Sequence, residues 1–139
     1  MKAVIDTNVY VSMLLSPRGA GAWLMAIWSE RRFKIIISPE LFAELVEVLN
    51  RADISPHVDG QRKLALFRWL RYDAIWTVGR VVAGGELPDP GDDFLLSAAL
   101  EAEAEFIVTW DSRLLEHGSS RGVQIISPDH LISIVVRMK

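Results

Sequence analysis

Short runs of β-branched and aliphatic residues alternate along the chain with longer stretches whose apolar side chains recur at helical spacing. Ala3-Val4-Ile5 reads as a buried strand ending in Asp6. Ala22, Leu24, Met25, Ile27 and Trp28 predict a helix over 20–31, and Lys34-Ile35-Ile36-Ile37 a second strand. Ser38 can cap and Pro39 suits a first helical turn, so a second helix is expected from 39 to about 50. Leu64, Leu66, Phe67, Trp69 and Leu70 predict another over 60–71, followed by a third strand over 74–78. Glycines and prolines mark 84–91 as a loop. A helix from 92 to about 103, a fourth strand over 106–109, a fifth over 124–126 and a last helix opened by Ser127-Pro128 complete the pattern. Ile-Ile-Ser-Pro stands at both 36–39 and 125–128, which reads as one capping arrangement used twice.

Strand–helix alternation of this kind predicts an α/β fold, a parallel sheet with helices on both faces. No linker or low-complexity segment divides the 139 residues, so one domain over 1–139 is expected. With 50% hydrophobic and 24% charged residues the chain can build a core, and disorder is not expected. A net charge of −3 argues against a broad basic surface for gripping nucleic acid. Nucleic acid remains open as a substrate, because a bound cation can carry the local positive charge. The absence of cysteine excludes disulfides, zinc–thiolate sites and cysteine nucleophiles. No apolar run approaches the roughly 18 residues of a membrane span, and Asp6 falls too early for a signal-peptide apolar region. A cytoplasmic location is expected.

In an open α/β sheet, ligands bind beyond the carboxyl ends of the strands. The first strand delivers Asp6, with Thr7 and Asn8 behind it, and the fourth delivers Thr109 and then Asp111. Each aspartate could instead do no more than cap the next helix. At about 100° per residue, Leu41, Phe42, Leu45, Val46, Val48 and Leu49 form one apolar arc, and Glu44 lies nearer its edge than Glu40 or Glu47. A carboxylate there needs a metal or basic partner, unless it is exposed after all. Asp92 projects within the apolar sector of its helix and Asp93 beside it, although both would also favour a helix N-terminus. Carboxylates without cysteine or paired histidine suit Mg²⁺ or Mn²⁺, and His57, His117 and His130 have no ligand-like spacing. Such ions serve phosphoryl chemistry. Neither a phosphate-binding Gly-x-x-x-x-Gly-Lys-Ser/Thr loop nor a Gly-x-Ser-x-Gly elbow is present.

Val4-Ile5-Asp6-Thr7-Asn8, Ser38-Pro39-Glu40-Leu41-Phe42-Ala43-Glu44-Leu45, Asp89-Pro90-Gly91-Asp92-Asp93-Phe94-Leu95 and Val108-Thr109-Trp110-Asp111-Ser112-Arg113-Leu114-Leu115 together resemble the PIN-domain nucleases. They are most similar to the PIN proteins of prokaryotic toxin–antitoxin systems. The resemblance implies a three-layer α/β/α fold with a five-stranded parallel sheet of order 3-2-1-4-5. It also implies a Mg²⁺- or Mn²⁺-dependent ribonuclease acting on single-stranded RNA. By position the family's four acids fall on Asp6, Glu44, Asp92 and Asp111, with Asn8 and Thr109 as accessory polar positions. One or two ions would be held by Asp6, Asp92 and Asp111, with Glu44 a further ligand or a base that orients water. Asp93 competes with Asp92 for its role, and the interval to Ala98-Ala99-Leu100-Glu101 favours Asp92. Arg113 would touch a scissile phosphate or pair an active-site carboxylate. The resemblance also implies a homodimer and a cognate antitoxin protein as partners. A catalytically silent PIN-like module that binds RNA or protein is the alternative, and four filled acid positions speak against it.

Two basic groups, Arg31, Arg32 and Lys34, and Arg62, Lys63, Arg68 and Arg71, read either as solvated faces or as an RNA guide, the second group sharing its helix with Trp69. Trp23, Trp28 and Trp69 are expected in the core or an interface, and Trp110 either packs or stacks on a base.

Overall fold

The computed structural model describes residues 1–16 and 18–138. Among them are six strands and seven α-helices: β1 (Lys2–Ile5), α1 (Thr7–Leu15), α2 (Ala20–Ser29), β2 (Lys34–Ile37), α3 (Pro39–Leu49), α4 (Gly60–Asp73), β3 (Ile75–Trp76), α5 (Asp93–Glu101), β4 (Phe106–Val108), α6 (Ser112–His117), β5 (Ser119–Ser120), β6 (Val123–Ile126) and α7 (Pro128–Arg137). The sheet order is β3-β2-β1-β4-β6-β5. Five of these strands run parallel in the expected 3-2-1-4-5 arrangement, with β6 as the fifth predicted strand.

The sheet nevertheless has six strands, because β5 adds an antiparallel edge to β6. Arg121 and Gly122, both at positive φ (49° and 84°), make the tight turn between them. Two serines carry no hydrophobic alternation, so this edge left no mark in the pattern. Helices α1 and α6 were not predicted either. Thr7-Asn8-Val9-Tyr10-Val11 is rich in β-branched residues, and α6 is only six residues long.

The central strands β1, β2 and β4 are apolar on both faces, as a parallel sheet between helices requires. Val4, Ile5, Ile35, Ile36, Ile37 and Val108 are fully buried, packed with Leu41 and Leu45 of α3, Leu95 and Leu96 of α5, and Leu131 of α7. Each such side chain contributes about 1.5–3 kcal/mol by leaving water. The two Ile-Ile-Ser-Pro junctions behave alike. Ser38 accepts from the Leu41 N–H at 3.1 Å and Ser127 from the His130 N–H at 3.1 Å, each followed by proline in the first turn.

The order in which strands are added reverses between the parallel neighbours β1 and β4. The crossover from β1 leads to β2 on one side, and β4 inserts on the other. That switch point opens a crevice at the carboxyl ends of the two strands. Ile5 pairs with Val108, and the Asp6 N–H donates to the Val108 carbonyl at 2.9 Å. Asp6 and Thr109 therefore leave the sheet side by side.

Candidate active site

Asp6 is 7% exposed and caps α1, its Oδ1 accepting from the Thr7 N–H at 2.7 Å. The other oxygen, Oδ2, accepts from the Thr109 hydroxyl at 2.8 Å and from Asn8 Nδ2 at 3.5 Å. Thr109 is fully buried, and its Oγ1 also accepts from the Asp111 N–H (3.0 Å) and Asn8 Nδ2 (3.3 Å). A hydroxyl has one proton, and both of those partners are donors. The proton is thus directed at Asp6. Asn8 completes the network by accepting from the Trp110 N–H at 3.2 Å.

Asp111 caps α6, its Oδ1 accepting from the Arg113 N–H at 2.9 Å. The capping alternative thus holds for Asp6 and Asp111, yet each has lone pairs to spare for another ligand. Glu44 is half-buried on α3, while Glu40 and Glu47 are exposed. Asp92 stands at the N-cap of α5 without capping it.

The electrostatics bring these four acids together. Burial raises the Asp6 carboxyl above its usual range, against the pull of Thr109 and Thr7, and the charges of Glu44 and Asp111 add to the rise. Glu44 is also raised, first by burial, then by Asp92 and Glu47. The buried Thr7 hydroxyl offsets part of this from nearby, although it makes no well-formed hydrogen bond. Asp92 is pushed up to about 6, mainly by burial and then by Asp6, Asp89, Asp111 and Asp93. Among the described residues the ion pairs are Arg32–Glu30, Arg51–Asp53 and Arg121–Glu86, so no lysine or arginine neutralises any of the four.

The remaining candidates fall elsewhere. Asp93 lines a separate cavity of about 220 Å³ with Ser38, Thr77, Ser97 and Glu101, and its Oδ1 is buried without a partner. Arg113 is exposed, and its side chain pairs no carboxylate. The three histidines are exposed. Trp69 packs edge-on against Trp28 at 5.3 Å, so it is not displayed beside the α4 cations as a guiding face would require. Trp28 is in the core, whereas Trp23 is largely exposed. Sequence reasoning overlooked Thr7 as a neighbour of Glu44 and Ser12 as a partner of the Trp110 indole, both on the unpredicted α1.

An all-carboxylate donor set suits a hard divalent cation. Among the described residues no three Asp, Glu or His side chains are gathered tightly enough to hold an ion as they stand. No helix among them is long and apolar enough to cross a membrane. Compared with known protein families, residues 2–113 match the PIN domain, and no curated protein matches the chain.

Proposed function

Because the chain belongs to the PIN-domain family, whose members are generally nucleases, we propose that it is a Mg²⁺- or Mn²⁺-dependent ribonuclease that hydrolyses single-stranded RNA. The observation that carries this reading is the set of four mutually repelling acids that no cation pairs among the described residues, three of them with carboxyls raised above their usual range. Burying repelling carboxylates is costly. A divalent cation removes that cost, and an enzyme that needs one has reason to keep them.

Asp6, Asp92 and Asp111 would hold the metal, with Glu44 as a further ligand or as the base that orients water. When bound, the ion polarises a phosphoryl oxygen, acidifies water and neutralises charge on the leaving oxygen. Thr109 and Asn8 fix the Asp6 carboxylate, and the Arg113 N–H fixes that of Asp111. Glu44, half-buried and raised, takes up a proton more readily than an exposed glutamate does. Asp93 would act on the site only through its charge beside Asp92, and the exposed Arg113 side chain would be free to touch a scissile phosphate.

Cleavage of a labelled single-stranded RNA tests the proposal, comparing wild type with Mg²⁺ or Mn²⁺, wild type with EDTA, and Asp6→Asn with metal. Metal-dependent cutting that disappears in Asp6→Asn is expected. Metal binding without cutting of any of several unrelated RNAs would favour the silent module, whose supporting observation is that no three ligands are yet gathered. A toxin role, with a homodimer and an antitoxin as partners, rests on the sequence resemblance. It predicts that expressing wild type arrests growth, that Asp6→Asn does not, and that co-expressing the cognate partner rescues it.

A further inference from the structure

Trp110 follows the buried Thr109 and precedes Asp111, yet 39% of it is exposed. The exposed part of its large surface therefore lies beside the candidate site, open to a ligand. The residue is held at two points. Its backbone N–H donates to Asn8 Oδ1 at 3.2 Å, and its indole Nε1–H donates to Ser12 Oγ at 3.3 Å. Ser12 gives its own proton to the Val9 carbonyl at 2.7 Å, which leaves a lone pair for the indole. Both anchors lie on α1, the helix that Asp6 caps. Behind Ser12, α2 packs so closely that a Cβ at Gly21 would lie 2.7 Å from Ser12 Oγ and 2.8 Å from the Met13 nitrogen. Ser12 has no room to retreat, and the ring it holds is fixed in turn.

An indole has one donor and no acceptor. With the N–H used internally, the indole has its apolar ring to offer a ligand, and a nucleobase is a flat, polarisable group that fits it. Base stacking on such a ring is tolerant of sequence, since every base has a π-face. It also supplies affinity that a chain of net charge −3 cannot obtain from phosphates alone. We propose that Trp110 is a stacking platform for one nucleobase of a bound single strand, beside the phosphate that faces Asp6 and Asp111. This rests on the ribonuclease reading above. Trp110 supplies contact area and orientation, whereas the acids supply the chemistry, so the two can be tested apart.

The test uses a short labelled single-stranded RNA and the Asp6→Asn protein with Mg²⁺ present, so that the strand stays intact. Affinity is measured for this protein, and after adding Trp110→Ala or Trp110→Phe, against the RNA and against copies abasic at each position in turn. Trp110→Ala should weaken binding by about 5- to 150-fold, the range of one base–aromatic stack, and Trp110→Phe should keep most of the affinity. At one position, removing the base should weaken the Asp6→Asn protein but cost the Trp110→Ala variant nothing more. A merely structural role would not single out one nucleotide. Losses that multiply at every position, or unchanged binding in Trp110→Ala, would overturn the platform alone. If the Asp6→Asn protein binds no RNA and wild type cuts none, the platform and the ribonuclease reading fall together.

Discussion

At the amino end of the sheet, charges settle on backbone that welcomes them. The Lys2 ammonium donates to the Ala102 carbonyl at the end of α5 (3.0 Å), and the Arg32 guanidinium to the carbonyls of Val135 and Met138 at the end of α7 (3.0 and 2.9 Å). Glu105 accepts from the Lys2 backbone N–H at 3.2 Å. Cations at helix C-termini are favoured by the macrodipole. At the carboxyl end the same logic places acids at the N-termini of α1, α5 and α6. It then overshoots, because at the candidate site four acids act on one another with no cation pairing them among the described residues, and three carboxyls rise. Glu101 makes the point in reverse. It accepts from the Val78 and Arg80 N–H groups at 2.7 and 2.6 Å, and its carboxyl is lowered by them. One part of the molecule is arranged for stability, and the other gives up stability for a site.

The largest effect that would break this contrast is catalytic. Asp6→Asn should lower RNA cleavage by roughly a hundredfold or more, while metal-free stability shifts by no more than about 1 kcal/mol, relief of the buried charge being offset by the lost acceptor for Thr109 or Thr7. Cleavage kinetics and urea denaturation in EDTA check the pair of outcomes. Next comes Asp92→Asn. An acid whose folded-state pKa is raised favours folding below its unfolded value, and that contribution is lost as pH rises through the folded value. Asp92 therefore penalises folding as pH climbs from about 4 to about 6. Asp92→Asn should stabilise the metal-free protein at pH 7.5 by about 1 kcal/mol, after discounting for solvent screening. The gain should vanish near pH 4, and denaturation in EDTA at the two pH values measures it.

A smaller change is expected from Glu101→Gln, which weakens a partnered acid. Hydrogen exchange at the Val78 and Arg80 amides should quicken, and β1 amides should be unaffected. Smallest is Glu105→Ala at the amino end. It should alter stability by no more than about 0.5 kcal/mol and leave cleavage unchanged, as parallel denaturation and cleavage assays would show.

The five parallel strands were legible because each centres on a short apolar run, and α3 and α7 because serine and proline mark their starts. Helix α1 was not legible. Its helical state comes from the Asp6 cap and from burial of Val9, Tyr10 and Met13, not from propensity. The strand β5 is defined only by its partner β6. Of the candidate site, Asp6, Asp111 and Thr109 could be placed because strand ends are fixed by the strands before them. Helix rotation alone set Glu44 apart from Glu40 and Glu47, and the half-buried position of Glu44 agrees with it. The environments of Asp92 and Asp93 depend on the 3₁₀ turn at Pro90–Asp92, which sends neighbouring carboxylates to different places. No periodicity encodes that. Nor could it show that Ser12 reaches Trp110 across 98 residues of chain.

The most direct test of the central claim is calorimetric titration of Mn²⁺ into wild type and Asp6→Asn at pH 6 and pH 7.5. Wild type should bind Mn²⁺ at both pH values and release more protons at pH 6, where the Asp92 carboxyl is about half protonated without metal. Asp6→Asn should bind far more weakly. Equal binding by the two proteins, or no binding by wild type, would contradict the claim.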